Sequence, residues 1–314
     1  MRTIIPLAPH SSADNAVNGI PACFHSDMIN SQLRDTWGFD GFVVSDCDAL
    51  SDAASHRYVQ QHYNGSLEVQ AQLALRGGTD LNCGSLYGEQ IVGAVRDGLV
   101  RESEVDTALM RVWTRAFRLG IVDQGLADNP NPFAKLDARA VDTPAHRALA
   151  LEAALQGIVL LKNQNKRLPA EPDAIKKLAL IGPHANGSLI FLGGPNYHGD
   201  NRVVYDNTPP RRAQAWFPHA TITLAQGCSV AGNDTSGFGA AIAAAKASDL
   251  TVLFLGLDAS IENEGRDRDA LGLPGVQMDL AMAVSRASQH PVVVVLVNGG
   301  PLAVRELKES DKVE

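Results

Sequence analysis

Trp37-Gly-Phe-Asp-Gly-Phe-Val-Val-Ser-Asp46-Cys47-Asp48 is the stretch that decides how this chain is read. Within it, Gly41-Phe-Val-Val-Ser45 has the length and β-branched content of a short buried strand, and the run ends on polar residues. Parallel barrels present their functional groups at the carboxyl ends of their strands. Asp46 stands one residue past the apolar run, where a carboxylate can face a reacting carbon while its strand stays rigid. An aspartate there can equally cap the next helix or brace a loop. Residue type and position alone leave both readings open.

Outward from this stretch the pattern alternates. Ser66 to Arg76 has helical spacing, Thr79 to Cys83 is a second short strand, and helices are expected over Tyr87 to Asp97 and Ser103 to Leu119. Ser103 is the expected N-cap of the last helix and Gly120 its stop. Strand–helix alternation implies parallel strands with crossover helices. Gln124 to Thr143, with Asp128-Asn-Pro-Asn-Pro132 at its centre, breaks the periodicity and reads as a linker. A second α/β unit begins with a helix over Pro144 to Gln156. Its strands are the continuous apolar runs Ile158 to Leu161, Leu178 to Ile181, Leu250 to Leu255 and Val292 to Val297, with helices over Gly239 to Ala247 and Gln277 to Ala287. The expected organisation is a first unit over 1–123, a linker over 124–143 and a second unit over 144–314, with no internal repeat.

Composition narrows the function. The chain has 314 residues, 45% of them hydrophobic and 20% charged, which suits a globular protein with one large or two ordinary domains. A net charge of −8 argues against nucleic acid as a partner. No apolar run is long enough to cross a bilayer, so no membrane partner is expected, and no signal peptide is visible at Met1 to His10. Sequons at Asn64, Asn186 and Asn233 fit a secreted protein. Cys23, Cys47, Cys83 and Cys228 have no zinc spacing, though one bridge is compatible with them. Phosphate-binding glycine loops, a G-x-S-x-G elbow and an H-E-x-x-H arrangement are all missing. His184 and His198 sit in loops rich in Gly, Asn and Pro, where surface or bracing roles fit best.

The second informative segment is Gly256-Leu-Asp-Ala-Ser-Ile-Glu262-Asn-Glu264-Gly-Arg-Asp-Arg268, followed by Leu273-Pro-Gly-Val-Gln277. It leaves a buried strand at the carboxyl edge of the second sheet, where ligand crevices of open α/β sheets lie. Cleaving a glycosidic bond takes two carboxyl groups on either side of it. Glu262 and Glu264 are candidates for one of them, and Arg266 and Arg268 could position them or grip hydroxyls. A solvated loop with local ion pairs explains the same residues.

Several stretches together resemble glycoside hydrolase family 3. They are Asn15-Ala-Val-Asn-Gly-Ile-Pro-Ala-Cys23, the Gly-Phe-Asp-Gly-Phe-Val-Val-Ser-Asp-Cys-Asp run, Gly78-Thr-Asp-Leu-Asn-Cys83, Leu160-Leu-Lys-Asn163, Ile181-Gly-Pro-His-Ala185 and the Glu-x-Glu-Gly-x-Asp-Arg loop. The Ser-Asp-Cys and Leu-Asn-Cys forms are most similar to the β-xylosidase and α-L-arabinofuranosidase branch. The resemblance implies a retaining, exo-acting glycosidase that releases terminal pentoses from xylan-derived oligosaccharides and needs no metal or organic cofactor. It implies Asp46 as nucleophile and Glu262 as general acid/base, with Glu264 in reserve. It also implies a Cys47–Cys83 bridge that narrows the sugar pocket; two buried free thiols fit the residues alone equally well. The implied fold is the C-terminal part of a (β/α)8-type barrel followed by an α/β sandwich, both incomplete, and the implied location of a full-length member is extracellular.

Against that pattern the chain holds about the last quarter of the barrel. Ser12-Ala-Asp14 stands where the family has a strand ending in Ser-Tyr, and the chain stops before further strands and a fibronectin-like domain. Unpaired edges predict self-association and no activity of the chain alone. The competing expectations are an inactive sugar-binding or interaction module, a β-glucoside substrate, and a nucleotide- or effector-binding α/β domain supported only by the strand–helix pattern.

Overall fold

The computed structural model describes residues 16–53, 66–122, 131–133, 135–187, 208–263 and 266–314. Glu264, Ser12-Ala-Asp14, Asn64, His198 and most of the Asp128–Pro132 breaker lie outside the described residues. The chain divides into two compact units, Met1–Leu149 and Ala150–Glu314. The boundary falls inside the helix Pro144–Gly157.

The first unit opens on an antiparallel hairpin of β1 (Ala16–Val17) and β2 (Ile20–Pro21). Asn18 and Gly19 make its turn with φ of 52° and 83°, the left-handed pair that a two-residue hairpin loop requires. A π-wound helix, Asp27–Thr36, follows. The strands expected at 41–45 and 79–83 shrink to one parallel bridge, Val44 to Leu81. Gly78 at φ 107° precedes one run and Asp48 at φ 64° ends the other, so little extended backbone is left to pair.

Asp80 holds that bridge in register. Its buried carboxylate accepts from Arg34 Nη2 at 2.5 Å, Arg111 Nη1 at 2.8 Å and the Val43 N–H at 2.9 Å. Arg34 also donates to the carbonyls of Gly41 and Gly78 at 2.9 and 3.0 Å, closing both ends of the paired segment. Around it lie α1 (Ala49–Asp52), α2 (Leu67–Gly77), α3 (Leu86–Arg96) and α4 (Glu102–Arg118). The apolar faces of α1, α2 and α3 meet at Leu50, Ala71, Ala74 and Leu86, with Phe24 packed among them. Ser66 caps α2 through its Oγ, which accepts the Val69 N–H. The expected cap Ser103 is not the cap: α4 starts one residue earlier, and Glu104 accepts the Arg101 N–H at 2.8 Å while also pairing with Arg76 at 2.9 Å. That interhelical ion pair draws the start of α4 back past Ser103.

The helix α5 (Pro144–Gly157) has no buried residue. Beyond it, Ile158–Leu161 is not the expected strand. The Ile158 N–H closes the last helical turn on Ala154, and the four apolar side chains are exposed along a groove of about 620 Å³ beside the strand at 293–297. The segment forms no ladder pairing among the described residues.

The second unit is a four-stranded parallel sheet in the order β4–β3–β5–β6, formed by β3 (Lys177–Ile181), β4 (Thr221–Ala225), β5 (Leu250–Gly256) and β6 (Val293–Val297). Alternation sorts its faces. Ala179, Ile181, Leu253 and Leu255 pack on α7 (Phe238–Lys246) and α8 (Gln277–Ala287). Leu178, Leu180 and Leu250 pack with Phe217 and Ala220, which follow α6 (Pro209–Trp216). A last short helix, α9 (Arg305–Glu309), adds Leu307 to the first of these faces. β3 has β4 on one side and β5 on the other, so winding reverses between β3 and β5. In such sheets the loops at this switch point form the ligand crevice. Gly182 at φ 119° and Gly256 at φ 140° stand at the ends of β3 and β5, and a Cβ on either would run into the backbone of the next strand.

Removing one partner of a buried ion pair leaves a charge without compensation. Asp80→Ala is therefore expected to cost about 3–5 kcal/mol, read as a lower urea midpoint of the first unit. A milder effect depends on pH. Arg76 and the Arg101 N–H hold the Glu104 carboxyl down at about 2. A depressed carboxylate stabilises the fold above the unfolded value of about 4.3 and loses that contribution as pH falls through its folded value. Wild type and Glu104→Gln should thus differ in stability at neutral pH and converge between pH 4 and about 2.

Candidate active site

In the first unit the short parallel pair ends in a cluster of polar groups. Asp46 is half-buried, and its Oδ1 accepts the N–H of Cys47 at 2.7 Å. Ser45, buried just before it, accepts the Cys83 N–H at 3.0 Å and Asn82 Nδ2 at 3.3 Å. The Asp48 N–H donates to the Cys83 carbonyl at 2.7 Å. Cys47 and Cys83 form a disulfide across these two segments, with Cα atoms 4.3 Å apart. The backbone is thus pinned on both sides of Asp46, whose carboxylate rests on the Cys47 N–H.

Cys23 was given no role by its sequence, yet its half-buried thiol lies beside Asp46. Burial and the Asp46 charge push that thiol up to about 11, against a hydrogen bond with the Asp46 backbone. The group therefore stays a neutral thiol at physiological pH. Asp80, two strand positions from the cluster, is wholly engaged by its arginines and is structural.

In the second unit the acidic loop leaves β5 at the switch point. Gln277, completely buried, grips the Gly256 peptide from both sides: its Oε1 accepts the Gly256 N–H at 2.8 Å and its Nε2 donates to the Gly256 carbonyl at 2.9 Å. The sequence motif contained Gln277 without suggesting this role. His184, at the end of β3, is 3% exposed and so braces the loop rather than facing solvent. Burial holds its imidazole below the ordinary value, opposed by the Asp258 charge and a hydrogen bond with the Gly256 backbone.

Asp258 starts the loop's turn. Its Oδ1 accepts the Ser260 N–H at 2.9 Å and hydroxyl at 2.5 Å, and its carbonyl accepts the N–H groups of Ile261 and Glu262 at 3.0 and 3.3 Å. Glu262 follows at once, with Oε2 2.5 Å from Arg268 Nε. Arg266 serves through its backbone, exchanging hydrogen bonds of 3.0 and 3.1 Å with Asn263. Among the described residues no group of three or more His, Cys, Asp or Glu side chains gathers as a metal centre.

Each unit thus presents one fixed carboxylate: Asp46 just past the parallel bridge of the first, and Glu262 in the loop at the switch point of the second. Residues 158–314 match the glycosyl hydrolase family 3 C-terminal domain, and residues 10–115 match the glycosyl hydrolase family 3 N-terminal domain. The chain belongs to glycosyl hydrolase family 3. It is 42% identical to Beta-D-xylosidase 1 of Arabidopsis thaliana over 301 residues, 95% of this chain and 37% of that relative. It is 35% identical to Exo-1,4-beta-xylosidase xlnD of Aspergillus awamori over 96% of this chain and 37% of that one. Among solved structures, a GH3 exo-beta-xylosidase (XlnD) in complex with a xylobiose aziridine activity-based probe superposes with a TM-score of 0.79 at 30% identity, over 95% of this chain and 37% of that one. The beta-glucosidase from Listeria innocua in complex with glucose gives 0.77 at 27%, over 95% and 39%. The chain thus spans about 37% of the length of the curated relatives cited.

The disulfide has a direct chemical test. Alkylation of the denatured, unreduced chain should modify two thiols, Cys23 and Cys228, and four after reduction. Cys83→Ser, which opens a loop of 36 residues, is expected to lower stability by about 2–4 kcal/mol in denaturant unfolding.

Proposed function

We propose that this chain carries the two catalytic carboxylates of a retaining exo-β-xylosidase, acting on terminal pentoses of xylan-derived oligosaccharides. In this reading the first unit is the C-terminal part of a (β/α)8-type barrel, the second an α/β sandwich, and the protein works outside the cell. The observation that carries the reading is Asp46, held at the carboxyl end of the short parallel pair by its neighbour's N–H and by the adjacent disulfide. With Oδ1 so engaged, Oδ2 is the oxygen that attacks the anomeric carbon. As that bond forms, the exocyclic C–O bond breaks, and Glu262 gives its proton to the departing oxygen. Glu262, now a carboxylate, takes a proton from water, and the water oxygen displaces Asp46 and releases the sugar. Retention needs the two carboxyl groups about 5–5.5 Å apart in the working enzyme. The β-xylosidase names of the relatives cited support the choice of a xyloside over a glucoside in this reading.

Two variants test the assignment in the protein expressed with its native flanking sequence. A 2-fluoro-xyloside with an activated leaving group should label Asp46 alone, and Asp46→Asn should abolish labelling; a label on Asp48 would sink the nucleophile assignment. Glu262→Ala should lose most activity on poor leaving groups, keep more on activated aryl xylosides and recover with azide. Faster turnover of aryl glucosides than of xylosides by wild type would overturn the substrate. Sugar binding without labelling or turnover would mark an inert binding module.

A further inference from the structure

Glu262 is one end of a clasp that ties the loop after β5 to the loop after β6. Arg268, only 9% exposed in its side chain, pairs with Glu262 Oε2 at 2.5 Å and also donates to the Pro301 carbonyl in the second loop. On the other side of the carboxylate is Gly300. A Cβ built there would stand 2.5 Å from Oε1, 3.1 Å from Oε2 and 3.2 Å from Cδ, all of them atoms of Glu262. The φ of Gly300 lies outside the left-handed region, so its backbone could accept an L side chain. The peptide is held in place, since Asn298 Nδ2 donates to the Gly300 carbonyl at 2.8 Å. A side chain at position 300 would thus displace the end of the Glu262 side chain and leave the backbone alone.

We propose that Gly300 and Arg268 are positioning residues for the Glu262 carboxyl, Gly300 by leaving open the space it occupies and Arg268 by fixing its direction. The catalytic meaning of the clasp rests on the reading of Glu262 as acid/base; its physical existence does not. A carboxyl that must reach a leaving oxygen along one line is sensitive to small displacements, and misplacement by about 1 Å can cost on the order of 100-fold in rate. A methyl at position 300 would turn Glu262 away and strand the guanidinium of Arg268.

The test is a double-mutant cycle on the full chain. Gly300→Ala should lower the thermal midpoint by about 2–4 °C, the shift of roughly 1 kcal/mol for a domain of this size. In the Glu262→Ala background the same change should have no effect, because the atoms it displaces are gone. Arg268→Lys keeps the charge but cannot serve Glu262 and Pro301 together, and it should be non-additive with Glu262→Ala in the same way. An equal cost of Gly300→Ala in both backgrounds overturns the proposal, whatever any assay shows. In turnover, Gly300→Ala should reduce kcat on poor leaving groups on the order of 100-fold with KM unchanged and spare activated aryl glycosides. Coupling in the melts without a leaving-group effect in Glu262→Ala would keep the clasp and reject the acid/base reading.

Discussion

Asp80 meets Arg34, Arg111 and the Val43 N–H in the interior of the first unit, and the position of Asp46 follows from that meeting. An unpaired carboxylate in such a place would cost several kcal/mol, so its partners are obligatory. Burial and Arg111 pull the Arg34 value down while Asp80 opposes them, and a guanidinium starting from so high a value stays charged. The result is a rigid pin between two runs that share only one parallel bridge. With the register pinned there, Ser45 meets Cys83, Cys47 reaches Cys83, and Asp46 cannot slip to the other side of the strand.

The second unit meets the same demand without buried charge. Where β5 ends, the ladder with β6 still runs through Gly256 but the ladder with β3 has stopped at Leu253, and an unsatisfied buried amide costs about 1–3 kcal/mol. Gln277 supplies an acceptor and a donor to the two peptide groups flanking Gly256, and the bare Cα of Gly256 allows the close approach of Val297. From this fixed root the loop makes its Asp258 turn within three residues and presents Glu262. An ionic pin and an amide clamp thus do equivalent work at the carboxyl edges of the two units.

The elements legible in the sequence were those with strong periodicity. Gln277 to Ala287 is a helix as its spacing implies, and the continuous runs at 178–181 and 250–255 are buried strands. The edge strand Thr221–Ala225 escaped notice because its alternating, largely exposed residues bury little. The Asn18-Gly19 hairpin went unread, because the strands it joins are only two residues each. Ile158–Leu161 had the composition of a strand but no ladder partner among the described residues, and composition cannot reveal the lack of one. Asp46 and Glu262 stood out because carboxylates after apolar runs are visible as a pattern. Asp80, Gln277 and Gly300 act through contacts 20 to 46 residues away or more, which no local pattern encodes.

The cluster around Asp46 also bears on which atom can attack. A thiolate is a stronger nucleophile than a carboxylate, and Cys23 lies beside Asp46. Its burial first, and the neighbouring negative charge second, keep the proton on sulfur, so Cys23 offers a neutral thiol and not a thiolate beside Asp46. The other two nearby sulfurs are joined to each other. Glu262 sits among different partners, a guanidinium on one oxygen and the open Cα of Gly300 by the other. The proposed mechanism asks unlike roles of the two carboxylates, and unlike surroundings suit that. Here one is fixed by its own backbone and ringed by neutral sulfur, while the other hangs on a clasp between two loops. In the proposed mechanism, attack falls to the fixed group, and proton exchange in both directions to the one whose direction the proposed clasp controls.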